Sequence, residues 1–93
     1  MREKKLLERF FTELAKESKK VVYGMEKTKK ALELGAAEEV LISKSLDKET
    51  TKEIKRLARE SGATVHIISN ETEMGVQFKN IAGIGAFLRF QIE

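Results

Sequence analysis

VVYGMEKTKKALELGAAEEVLIS, residues 21–43, decides how the rest of the chain is read. Val21, Val22 and Tyr23 form a short β-prone run, and Gly24 turns the chain out of it. From Met25 the pattern changes period: Thr28, Ala31 and Leu32 fall on one helical face, with charged residues on the other. Gly35 then supplies the left-handed residue that stops a helix, and EEVLIS is a second apolar strand ending at Ser43. Strand, helix and strand follow within 23 residues, with glycine at each change of element.

The same alternation extends in both directions. Upstream, Leu6, Leu7, Phe10, Phe11 and Leu14 recur at helical spacing, which predicts an amphipathic helix over 3–19. Downstream, Asp47, or Thr50 with Glu53, can cap a third helix that turns Ile54, Leu57 and Ala58 inward and ends at Gly62. ATVHIIS (63–69) reads as a buried strand. Asn70 with Glu73 offers a capping box to a short helix carrying Met74, Phe78 and Ile81, and IGAFLRFQI (84–92) is a last β-prone run. The order αβαβαβαβ predicts an α/β fold with a largely parallel or mixed sheet covered by helices on both faces.

A chain of 93 residues makes one domain, too small for two lobes around a deep cleft, so function is expected on one face. There is no run of about 18 apolar residues and no signal-peptide pattern, which predicts a cytoplasmic protein without membrane contact. No cysteine and one histidine exclude disulfides, thiolate sites and multi-histidine metal sites, and no cofactor is expected. Residues 1–30 hold ten Lys/Arg against five Glu, whereas 31–77 hold six against nine acids. Basic charge thus gathers at the N-terminal end, but interspersed with glutamate, as on a solvated helix surface.

NIAGIGAFLRF, residues 80–90, sets two glycines in an apolar run that closes with an arginine between apolar residues. A dinucleotide cradle needs its glycines after a strand and before a helix, and here they precede a strand; position 88, where the pattern requires glycine, is Leu. Gly83 and Gly85 are better read as sites where a strand bends or a neighbour packs closely. Alternation puts Phe87 and Arg89 on one face, leaving Arg89 either partner-facing or paired with a carboxylate. His66 reads as a structural strand histidine, Ser43 and Ser69 as turn caps, and Glu38-Glu39 as a solvated strand start. No nucleophile and base can be paired, and the residues describe a binding module, not an enzyme.

The segment 21–43, followed by GATVHIIS and then ETEMGVQFKNIAGIGAFLRF, resembles the C-terminal domain of Pelota and of archaeal and eukaryotic class-1 translation release factors, from about Phe10 to Phe90. Archaeal release factors usually insert a cysteine-bearing minidomain after the Ser-ending strand; here SKSLDKETTKEIKRL runs directly onward, without cysteine. That, and the short spacing from Gly75 to Gly83 with Ala82 in place of a first glycine, tilt the resemblance to Pelota. Phe78, Gly85 and Gln91 depart from the Pelota pattern.

The resemblance implies a three-layer α/β/α sandwich with a mixed sheet, like kink-turn RNA-binding ribosomal proteins. It implies a docking module for an elongation-factor-type GTPase and then the ribosome-recycling ABC ATPase, acting at the ribosome. The family's GTPase-contact segment falls on Gly83, Ile84, Leu88, Arg89 and Phe90, with Arg89 the best single candidate. Arg89→Ala is expected to weaken that contact with little change in stability. The rival reading is a stand-alone kink-turn-type RNA-binding protein using Lys27, Lys29 and Lys30. Of the four matching positions in those proteins, Gly24 alone is retained, with Met25, Glu26 and Lys27 differing. Whether the chain acts alone or as part of a longer factor stays open at this point.

Overall fold

The computed structural model describes residues 2–81 and 83–91. Four helices and four strands alternate: α1 (Arg2–Ala15), β1 (Val21–Tyr23), α2 (Met25–Glu33), β2 (Ala37–Ser43), α3 (Lys48–Ser61), β3 (Thr64–Ile68), α4 (Glu73–Ile81) and β4 (Ile84–Leu88). The sheet order is β1-β4-β2-β3. β4 runs antiparallel to both its neighbours, β1 and β2, and β2 and β3 are the one parallel pair of hydrogen-bonded neighbours among the described residues, so the sheet is mixed. This is the mixed form of the expected sheet, with the last strand entering between β1 and β2 in the reverse direction.

Side-chain alternation along the strands builds two cores, one on each face. On one face Val40, Ile42, Ile84 and Ala86 meet Ala31 and Leu32 of α2 and Ile54 and Ala58 of α3. On the other, Leu41, Ile68 and Phe87 meet Leu7 and Phe10 of α1 and Phe78 of α4. The result is the expected α/β/α sandwich. Phe10 is fully buried at the centre of the second core, where its ring makes edge contacts with Phe78 and Phe87, both at 5.7 Å between centroids.

Local chemistry sets most of the boundaries. Asp47 caps α3 by accepting from the Thr50 N–H at 2.9 Å, and that bond holds its carboxyl below the usual carboxylate range. Gly35 and Gly62 take the left-handed conformation after α2 and α3, with φ of 70° and 78°. Ser43 and Ser69 accept from the N–H groups two residues on, as their positions at strand ends suggested.

Four expectations are corrected. α1 ends at Ala15, not residue 19, because Glu17 adopts a positive φ of 54° and Ser18 ties back to Glu13. The cap of α4 is Thr72, whose hydroxyl accepts from Gly75, while Asn70 turns away to Ser45. Ile81, at the end of that helix, is exposed and not part of the core. The last strand stops at Leu88 because its partners run out: Leu88 lies opposite Ala37, the first residue of β2, and Phe87 opposite Val21, the first of β1. Ile92, the end of the expected strand, lies outside the described residues.

Thr28 adds one internal test. Its side chain is fully buried in α2, and its Oγ1 has no hydrogen-bond partner. A buried hydroxyl without a partner loses its hydration with no return, so the isosteric Thr28→Val is expected to stabilise the domain by about 1 kcal/mol. A raised thermal midpoint would show it; an unchanged or lower one would mean that the hydroxyl is satisfied.

Candidate functional site

The segment Gly83–Phe90 starts in the core and ends at the surface. Gly83 has a φ of 72°, donates to the Phe78 carbonyl at 3.0 Å and accepts from Ser43 at 2.8 Å, fastening the α4–β4 corner. Ile84 lies in the core against α2 and α3, and Leu88 is half-buried beside it. Arg89 and Phe90 follow the strand and are exposed, Phe90 by 53%. Of the five residues singled out in this segment, only these last two present substantial surface.

Arg89 is engaged, and among the described residues its partners are backbone carbonyls, not carboxylates. Its Nε donates to the Ala37 carbonyl at 3.2 Å and its Nη2 to the Gly62 carbonyl at 3.0 Å, while its own N–H reaches Ala36 at 2.7 Å. The guanidinium therefore joins the carbonyl end of α3 to the start of β2, where a cation also complements the helix dipole. Removing it has a cost in stability that the sequence did not suggest. Phe90 makes no comparable commitment to the fold.

The lysines of α2 do not act as one set. Lys29 pairs with Glu53 of α3 at 2.7 Å; this hydrogen bond and the opposite charge raise the lysine pKa and lower that of the glutamate. Lys27 lies over the Tyr23 ring, 5.7 Å from its centroid. Lys27 and Lys30 share an open groove with Lys19 and Leu88. Only two of the three lysines are thus available to a phosphate, and the loss of Lys29 to an inter-helix pair is a feature sequence spacing could not disclose.

A second polar cluster was missed. Glu39 accepts from Arg9 of α1 at 2.8 Å and meets His66 of β3 at 3.0 Å, and the Arg9 guanidinium sits 3.9 Å from the Phe87 ring centroid. Just before Glu39 the strand is irregular: Ala37 pairs with Leu88 and Glu39 with Phe87, so Glu38 has no partner in the β4 ladder. That extra residue keeps Ala37 on the same face as Val40, while Glu39, two residues before Leu41 and opposite Phe87, faces α1 by ordinary alternation. Glu38-Glu39 is therefore not wholly solvated. The one signal available was the pair itself, since two consecutive strand residues cannot both face the same side. Among the described residues no hydroxyl or thiol lines the groove at this cluster, and its ion pair and hydrogen bond fasten α1 to the sheet.

Comparison with known proteins gives a consistent result. A sequence profile of the family described as eRF1 domain 3 matches residues 1–92. The chain is 32% identical to peptide chain release factor subunit 1 of Thermococcus onnurineus, over all of its own length and 34% of that protein. It is 39% identical to the pelota homolog of Methanocaldococcus jannaschii, over 99% of its own length and 26% of that protein. The release-factor alignment needs 140 positions to span the chain and the Pelota alignment 95, as the absent insertion after Ser43 would require.

Among solved structures, the archaeal termination factor aRF1 superposes with a TM-score of 0.84 at 32% identity, covering 96% of this chain and 26% of that one. Archaeal Pelota, in a ribosome-bound assembly with ABCE1, superposes with a TM-score of 0.78 at 29% identity, covering 96% and 26%. The fold is also that of S. cerevisiae Dom34, a factor that interacts with Hbs1, with a TM-score of 0.84 at 21% identity and coverage of 98% and 28%. Both branches match, without a preference for the Pelota branch to which the short spacing pointed. The chain spans about a third or less of these relatives, and it belongs to the eRF1 domain 3 family, the domain common to class-1 release factors and Pelota.

Proposed function

We propose that this domain is the docking module of a translation termination or ribosome rescue factor, binding an elongation-factor-type GTPase and then the ribosome-recycling ABC ATPase, with no catalysis of its own. Family membership supports it, as do relatives that assemble with such partners: Dom34 interacts with Hbs1, and Pelota occurs with ABCE1 on the ribosome. The observation that carries the reading is the pairing of a clamped Arg89 with an exposed Phe90 at the end of β4. An aromatic ring beside a pre-organised guanidinium is the kind of anchor on which interfaces concentrate their energy. Gly83, Ile84 and Leu88 serve the site by holding the strand that presents it.

A calorimetric titration with the GTP-loaded elongation-factor-like GTPase tests this. Phe90→Ala is expected to weaken binding by about 2 kcal/mol, roughly thirtyfold, without loss of fold. Arg89→Ala should also weaken binding, but with a lowered thermal midpoint, because its two bonds to backbone carbonyls go as well. Unchanged affinity in Phe90→Ala would remove this surface from the interface, and the absence of any binding by the unaltered domain would overturn the docking role.

A further inference from the structure

Among the described residues β3 is an edge strand, with β2 on one side and no strand on the other. The sequence marked ATVHIIS as buried, yet Ile67 is 44% exposed. Which backbone groups face outward follows from the hydrogen bonds at its end. The Ile68 carbonyl accepts from Lys44, just after β2, so Ile68 points inward, and alternation turns the N–H and C=O of Val65 and Ile67 outward. The next outward N–H, that of Ser69, is already taken by the Glu3 carboxylate of α1 at 2.9 Å. Among the described residues nothing pairs with Val65 or Ile67 on that side.

Beside this edge runs a groove of about 290 Å³ with Ile67 and Leu46 in its wall and four lysines around it: Lys44, Lys48, Lys52 and Lys55. Helical spacing explains the concentration. Lys48, Lys52 and Lys55 share the face of α3 nearest β3, whereas Glu49 and Glu53 share the face towards α2, where Glu53 is held by Lys29. Among the described residues, none of the four lysines forms an ion pair. The stretch 31–77 is acidic in sum, so its composition hid a local cationic row.

We infer that this edge accepts an extended acidic peptide as an added strand antiparallel or parallel to β3. The outward backbone groups of Val65 and Ile67 would supply the main-chain hydrogen bonds, an apolar side chain would cover Ile67, and alternate carboxylates would reach the lysine row. Charge complementarity decides the occupant. A second copy of this chain would bring its own lysines against these, and the repulsion opposes edge-to-edge pairing. A single-stranded nucleic acid would find the phosphate partners but no aromatic side chain in the groove wall on which to stack a base. The surface lies at the opposite end of α3 from Arg89, so the inference stands independently of the GTPase reading.

The test is a titration of the isotope-labelled domain with a short synthetic peptide in which glutamate alternates with valine and isoleucine, read by amide shifts and hydrogen exchange. Saturable shifts and slowed exchange centred on Val65 and Ile67 are expected. Lys48→Glu combined with Lys52→Glu, both on exposed helix positions, should weaken binding about tenfold or more. A peptide methylated on its alternate backbone nitrogens, which leaves the domain itself unaltered, should lose binding as well. Equal binding by the methylated peptide would show lysine attraction alone and overturn strand addition. Shifts centred instead on the Lys19, Lys27 and Lys30 groove would overturn the site. So would tighter binding of a short single-stranded RNA at the lysine row without change at Val65 and Ile67.

Discussion

Phe10→Ala is expected to cost about 3–5 kcal/mol, a large part of the roughly 5–15 kcal/mol that holds a domain of this size. The ring is fully buried, and around it stand Phe11, Phe78 and Phe87, each meeting it edge to face. Truncation removes the side chain that joins α1, α4 and the sheet and leaves a cavity that its neighbours fill only in part. Denaturant unfolding would measure the loss. A cost below about 1.5 kcal/mol would mean that α1 repacks freely and that the aromatic cluster is not the organising centre of this face.

Gly85→Ala approaches the same place from the other side. A Cβ at Gly85 would lie 2.5 Å from Cζ of Phe10 and 2.9 Å from the carbonyl oxygen of Val22. A ring can tilt, but Val22 lies in the strand paired with β4 and its carbonyl cannot retreat without disturbing that ladder. The expected cost is at the upper end of overpacking effects, about 3 kcal/mol, read as a lowered thermal midpoint. The two sites should also be coupled. In a Phe10→Leu background the added methyl loses its closest neighbour, so Gly85→Ala should cost about 1 kcal/mol less there. Strict additivity would show that the Val22 carbonyl alone decides, and a negligible single-site effect would remove close packing as the reason for glycine at this position.

What the sequence made legible was the part of the structure encoded locally. The eight elements, the left-handed stops at Gly35 and Gly62, the buried face of α2 and the close approach at Gly85 all follow from period and residue type within a few positions. Features that depend on partners distant in the chain were not legible. Nothing near Thr64–Ile68 announces that its outer side has no neighbour, because five consecutive β-prone residues read alike in the middle of a sheet and at its edge. The engagement of Glu39 depends on Arg9 of α1 and His66 of β3, and that of Arg89 on carbonyls contributed by Ala37 and Gly62. The candidate site was found at its exposed end only through family resemblance, and which of its members face outward needed the fold.

The insertion of β4 between β1 and β2 bears on how the chain acquires its structure during synthesis. Until Ile84–Leu88 have left the ribosome, β1 has no partner and β2 can pair only with β3. A growing chain would thus carry a partly formed β2–α3–β3 unit with an unfilled apolar seam, waiting for its final strand. Closing that seam joins Val21 to Phe87 across most of the chain, the kind of long-range event that slows folding and leaves strand edges open to misassociation. The step that completes the sheet is the same one that brings Arg89 onto α3, so the last strand to be made is the one that locks both layers in place.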